Sequence, residues 1–90
     1  MRQMYIASPG KGHVTMAWNS EADVEAEKEV GKPAPDDAEV VDEPTARAVF
    51  ARLMESGALF TVEADGTTTQ VHAFPVEAEE ITWVPAIAGG

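Results

Sequence analysis

Apolar residues alternate with polar ones twice near the start of the chain. Residues 3–7 (QMYIA) and 13–18 (HVTMAW) read as two strands, and in the second Val14, Met16 and Trp18 share one face while His13, Thr15 and Ala17 take the other. Between them Ser8-Pro9-Gly10-Lys11-Gly12 is a turn sequence, with two glycines able to adopt positive φ. The pieces predict an N-terminal hairpin with a loop longer than the tightest kind. Later the period changes. Ala46, Val49, Phe50, Leu53 and Met54 recur at helical spacing, with Arg47 and Arg52 on the other faces. Asp42 and Glu43 bring negative charge to the start of this helix, Pro44 suits its first turn, and Gly57 after Ser56 predicts a left-handed C-cap. The helix is expected over about 43–56, with its apolar stripe as core.

Three strand-like pieces follow. In 58–64, Phe60 and Val62 are placed on one face with Ala58 and Ala64. Asp65-Gly66 opens a polar turn through Thr67–Thr69, Gln70–Phe74 is a short strand, and Pro75 ends it or sets it on an edge. Glu77, Glu79 and Glu80 mark a solvated turn before a last strand over Ile81–Val84, which Pro85 stops. Trp18 is expected to anchor the core; Trp83, on a face with Ile81, either joins it or adds to an exposed apolar patch that a partner covers.

The order is ββαβββ, or ββαββ if the short piece is not a strand. One amphipathic helix on one face of a small mixed sheet is a stable two-layer solution. The expected fold class is therefore α+β, a small β-grasp-like (ubiquitin-like) domain of N-terminal hairpin, one amphipathic helix and two or three further strands. A plain α+β sandwich of another topology meets the same pattern.

Charge changes the picture in one place. The 90 residues carry a net charge of −10. Residues 20–43 hold ten acids against Lys28 and Lys32, so this stretch alone has a net charge of −8. It contains Gly31, Pro33 and Pro35 and no aromatic residue, too little apolar surface to offset the entropy of ordering. We read 20–42 as a long exposed acidic loop, with room for a helical turn around Val24–Val30. It is either a solvated insertion or a docking arm for a basic partner, its candidate contacts being Glu21, Asp23, Glu25, Glu27, Glu29, Asp36, Asp37 and Glu39.

Length and composition exclude several classes. Ninety residues give room for a single small domain. The acidity argues against nucleic-acid binding through a basic groove and against an anionic membrane surface. No apolar run approaches the roughly 20 residues of a membrane helix, and MRQMYIASPGKG lacks the apolar stretch of a secretory signal, so a cytoplasmic location is expected, or a virion if a phage encodes the chain. Without cysteine there is no disulfide, thiolate metal site or cysteine nucleophile. His13 and His72 lie on different strand pieces without a third ligand, so no metal site is assigned. Gly10-Lys11-Gly12-His13 lacks the spacing and hydroxyl of a phosphate loop. Glu63, Asp65, Glu77, Glu79 and Glu80 cluster only in sequence, and the serines sit in turns and caps. Neither a catalytic residue, a cofactor nor a small-molecule substrate is expected, and the protein is read as not an enzyme.

The C-terminal segment Glu80-Ile81-Thr82-Trp83-Val84-Pro85-Ala86-Ile87-Ala88-Gly89-Gly90 is the most informative feature. It resembles the end of the ubiquitin-like sulfur carriers, the small subunit of molybdopterin synthase and the thiamine sulfur carrier, where a strand runs into a proline, small residues and Gly-Gly. The resemblance covers this tail and a compatible element order; the acidic insertion is foreign to those carriers. Gly12, Thr15 and Trp18, the segment Phe74-Pro75-Val76-Glu77-Ala78-Glu79-Glu80-Ile81 and the terminal Pro85, Gly89 and Gly90 also resemble a set of short bacterial and phage proteins to which no activity attaches. The carrier resemblance implies an adenylating partner that activates the Gly90 carboxylate, with Gly89 giving clearance in a narrow channel. A flexible tail over 85–90 is expected, with Trp83, Pro85 and Ile87 as candidate tail and partner-docking residues. Two other expectations stand beside it: a structural or assembly protein, for example a phage virion component, docking through sheet edge and tail, and an acidic inhibitor that mimics nucleic acid.

Overall fold

The computed structural model describes residues 1–8 and 12–85. The chain runs β1 (Arg2–Ser8), β2 (Gly12–Asn19), α1 (Glu21–Glu25), β3 (Glu39–Asp42), α2 (Glu43–Ser56), β4 (Gly57–Val62), β5 (Thr68–Val71) and β6 (Glu80–Pro85). The six strands form one mixed sheet in the order β3-β2-β1-β6-β4-β5. β1 and β2 are antiparallel, with Arg2 opposite Trp18 and Tyr5 opposite Thr15. β6 lies between β1, which it parallels (Met4 opposite Ile81), and β4, which it opposes (Leu59 opposite Trp83). The α+β class and the hairpin–helix–strands order agree with the sequence pattern.

Side chains alternate across a strand, so one face of each strand builds the core. Met4, Met16, Trp18, Leu59, Ile81 and Trp83 point to the same side, and Ala46 and Phe50 of α2 pack onto them. The helix starts as the sequence predicts: the Asp42 carboxylate accepts the Thr45 N–H at 3.0 Å, and Pro44 sits in the first turn where no backbone donor is needed. The Trp83 indole N–H donates to the Leu53 carbonyl at 2.8 Å, tying the helix to the last strand and placing Trp83 in the core. Phe74, expected at the end of a strand, lies instead in the loop after β5. It meets Phe50 edge-on at 5.4 Å and Trp18 at 5.9 Å, with the Arg47 guanidinium 4.8 Å from its ring centre.

Two expectations, for Gly57 and for residues 20–42, are corrected, and β4 gains its core residue. Gly57 is not a left-handed cap: its φ of −176° is extended, because β4 begins at the residue after α2. What demands glycine is space, since a Cβ there would meet the Val84 carbonyl and come within 2.5 Å of the Trp83 indole nitrogen. In β4 it is Leu59, fully buried, that faces the core; Phe60 and Val62 face the other way with only partial burial. Two adjacent apolar residues make the strand's alternation ambiguous, and pairing with Trp83 and Val71 settles it. Finally, 20–42 is not one long loop. It contains a second helix, α1, and a sixth strand, β3, which pairs parallel to β2 with Trp18 opposite Val41.

Candidate functional site

The acidic segment is held to the sheet at two points. At the first, Ser20 follows β2 and caps α1: its hydroxyl accepts the Asp23 N–H at 3.0 Å, and the Asp23 carboxylate accepts the Ser20 N–H at 3.1 Å. This reciprocal box satisfies donors that a helix start leaves open. The same carboxylate receives Arg2 in a two-pronged pair, Nε at 2.9 Å and Nη2 at 3.1 Å. Arg2 also donates through Nη1 to the Ala78 carbonyl at 3.1 Å. The guanidinium thus joins the first strand, α1 and the loop that enters β6, with both charged side chains almost closed to solvent. The Arg2 hydrogen bond holds the Asp23 carboxyl below the ordinary aspartate range.

The second point lies farther along the same segment. The Gln3 amide donates to the Lys32 and Pro33 carbonyls, each at 3.1 Å, and the Met1 amine donates to the Lys32 carbonyl at 3.0 Å. Gly31, at φ +78°, lets the chain pass close to the Met1 carbonyl, where a Cβ would collide. Gln3 Oε1 in turn accepts the Tyr5 hydroxyl at 2.9 Å. Burial, and then the neighbouring Glu80 carboxylate, push the Tyr5 phenol up.

This geometry sorts the candidate acidic contacts. Glu21, Glu25, Glu27, Glu29, Asp36, Asp37 and Glu39 are exposed. Asp23 is not; it is buried and committed to Arg2, so it is no docking residue. A run of acids gives composition no way to single out one member. The signal was positional: Ser20-x-x-Asp23 has the spacing of a capping box. Arg2 and Gln3 carried no signal, because a charged or amide residue at a strand start is commonly solvated.

At the other end of the sequence, Trp83 is buried against α2 and is likewise not a docking residue. Pro85 ends β6 opposite Gly57, half-buried. Ile87, Gly89 and Gly90 lie outside the described residues. His13 is exposed on β2 and His72 is exposed just beyond β5, with β1, β6 and β4 between those strands. Among the described residues no group of three His, Asp or Glu side chains is placed to hold a metal ion. Glu63, Glu77 and Glu79 do come together: they line an open groove between the end of β4 and residues 75–79. Asp65 is not among its lining residues. It accepts the Thr67 N–H at 2.9 Å, which holds its carboxyl low and closes the turn through Gly66. No helix among the described residues is long and apolar enough to cross a membrane.

The two sheet edges differ. β5 offers Thr68, Thr69, Gln70 and Val71; β3 offers Glu39, Val40, Val41 and Asp42, with Val40 57% exposed. Compared with models of protein families, with curated proteins and with solved structures, the chain matches none.

Proposed function

We propose that the protein is a β-grasp carrier or modifier that acts through its C-terminal Gly89-Gly90 carboxylate. The supporting observation is the place of β6. It is paired on both sides, parallel to β1 and antiparallel to β4, and α2 is tied to it through Trp83. A terminal hairpin with the last strand parallel to its first member, one main helix over one face and the remaining strands beyond, is the β-grasp arrangement. In such a frame the residues after Pro85 follow a strand that cannot shift without breaking both ladders. That gives an activating enzyme a rigid body to grip while it works on the chain end.

In this reading the Gly90 carboxylate attacks the α-phosphorus of ATP in the partner's site, and pyrophosphate leaves. Hydrosulfide then attacks the acyl carbon and AMP leaves, giving a thiocarboxylate, or an amine attacks it and AMP leaves, giving an amide. The chain supplies no catalytic group; the adenylating partner does. Gly89 and Gly90 offer backbone without Cβ atoms, so the end can enter a narrow channel.

A second reading is a structural or assembly protein, and the open β3 edge favours it. Intact-mass spectrometry of protein purified from its native cells, beside a variant lacking Gly89 and Gly90, separates the two. A mass gain of one sulfur-for-oxygen exchange, or an adduct at Gly90 that the variant lacks, is expected for the carrier. An unmodified mass with stoichiometric recovery in a large particle refutes it in favour of the assembly role.

A further inference from the structure

We propose that the free edge of β3 is a strand-addition site for an extended, lysine- or arginine-rich segment of a partner protein. The inference is independent of the tail chemistry. β3 is the last strand on its side of the sheet and pairs only with β2. In a parallel ladder, alternate residues direct their N–H and C=O groups to opposite sides, so part of the β3 backbone faces outward. Among the described residues, no backbone group of Glu39–Val41 bonds to any segment but β2. Outward backbone donors and acceptors in register are a template for another strand.

Charge selects the occupant. Glu39 is exposed at the start of the strand, and Asp36 and Asp37 are exposed just before it. Their segment is anchored by Arg2–Asp23 at one end and by pairing with β2 at the other, so the charge belongs to a fixed surface. A second copy of the chain would bring the same acids alongside, and like charges facing each other across a strand pair are destabilising. A basic strand meets the opposite sign, which steers encounter and fixes register. An apolar residue within that strand would cover Val40, which stands open on the face away from α2. The β5 edge, threonine, glutamine and valine, has no comparable charge to choose a partner.

The probe is a short capped peptide alternating lysine and valine, titrated into nitrogen-15-labelled protein and followed by NMR. Shifts centred on Glu39–Asp42 are expected, with slowed amide exchange there. N-methylating alternate residues of the peptide keeps its charge but removes ladder donors, and should weaken binding about tenfold or more. The D36K/D37K/E39K triple variant should weaken the unmodified peptide by a similar factor; none of these side chains makes a hydrogen bond or ion pair within the described residues, and a thermal melt checks that the variant is folded. Equal binding of the N-methylated peptide would show attraction by charge alone and overturn strand addition. Shifts centred on β5, or no shifts at millimolar peptide, would overturn it as well.

Discussion

Replacing Asp23 with asparagine keeps the shape of the side chain and removes its charge. Asparagine can still accept the Ser20 N–H, so α1 keeps most of its cap. What goes is the counter-charge of Arg2, whose side chain is only 10% exposed. The asparagine oxygen at the Oδ2 position can still meet Nε, but Nη2 then faces an amide NH2 in place of Oδ1, and the Ala78 carbonyl is the one acceptor left unchanged. Breaking a buried ion pair from one side costs about 3–5 kcal/mol. The Arg2 side chain keeps 10% exposure and can swing partly into water, so the lower figure applies, about 3 kcal/mol. A chain of this length has a total stability of about 5–13 kcal/mol. The loss should lower the midpoint of thermal unfolding by about 10–20 °C. Trp18 and Trp83 are both buried and report unfolding by fluorescence in urea or heat. The pair is isolated by the cycle of R2M, D23N and R2M/D23N, in which the double variant should be less destabilised than the two single losses added together. A D23N loss under about 0.5 kcal/mol, or additive single losses, would mean that the pair is relaxed by solvent and does not anchor the acidic segment.

The same pair sets a pH dependence. A carboxyl whose folded-state pKa is depressed contributes stability above its unfolded value, and that contribution disappears as pH falls through the folded value. For Asp23 the window opens at about 3.9 and runs downward, so the gap between wild type and D23N in urea midpoint should close in that range and stay constant above it. G57A places a methyl group against the Val84 carbonyl and the Trp83 indole; calorimetry should show a loss of about 1–3 kcal/mol, and a neutral result would mean that α2 and β6 separate easily. W83F removes the 2.8 Å bond to the Leu53 carbonyl and part of the ring, and urea unfolding followed by circular dichroism should show a loss of about 1–3 kcal/mol.

Legibility in the sequence followed the size of the apolar signal. β1, β2, α2, β4 and β6 carry enough alternating or helical apolar positions to be found by period alone, and the Asp42–Pro44 start of α2 carried capping chemistry besides. β3 did not, because Glu-Val-Val-Asp is four residues long and sits in an acidic setting; only pairing with β2 makes it a strand. Gly57 misled because a glycine after a helix is usually a cap, while a helix that passes directly into a strand needs glycine for clearance. For the candidate site, seven of the eight acids proposed as a docking face are exposed, and Asp23 is the exception. Its role depends on Arg2, 21 positions earlier, and local pattern has no access to a pairing at that distance.

The neighbours β1 and β6 have a consequence for how the protein is made. They are the first and last strands of the described chain, and they lie side by side in the middle of the sheet. A ribosome releases β1 early and β6 only after Pro85 has cleared the exit tunnel. Until then no strand joins β3-β2-β1 to β4-β5, because β6 is the neighbour of both β1 and β4. Met4 and Leu59, fully buried at the end, flank the place that β6 takes. The sheet therefore cannot be completed before β6 is available, and it closes around that strand. The net charge of −8 on residues 20–43 sets two incomplete copies against each other by like-charge repulsion.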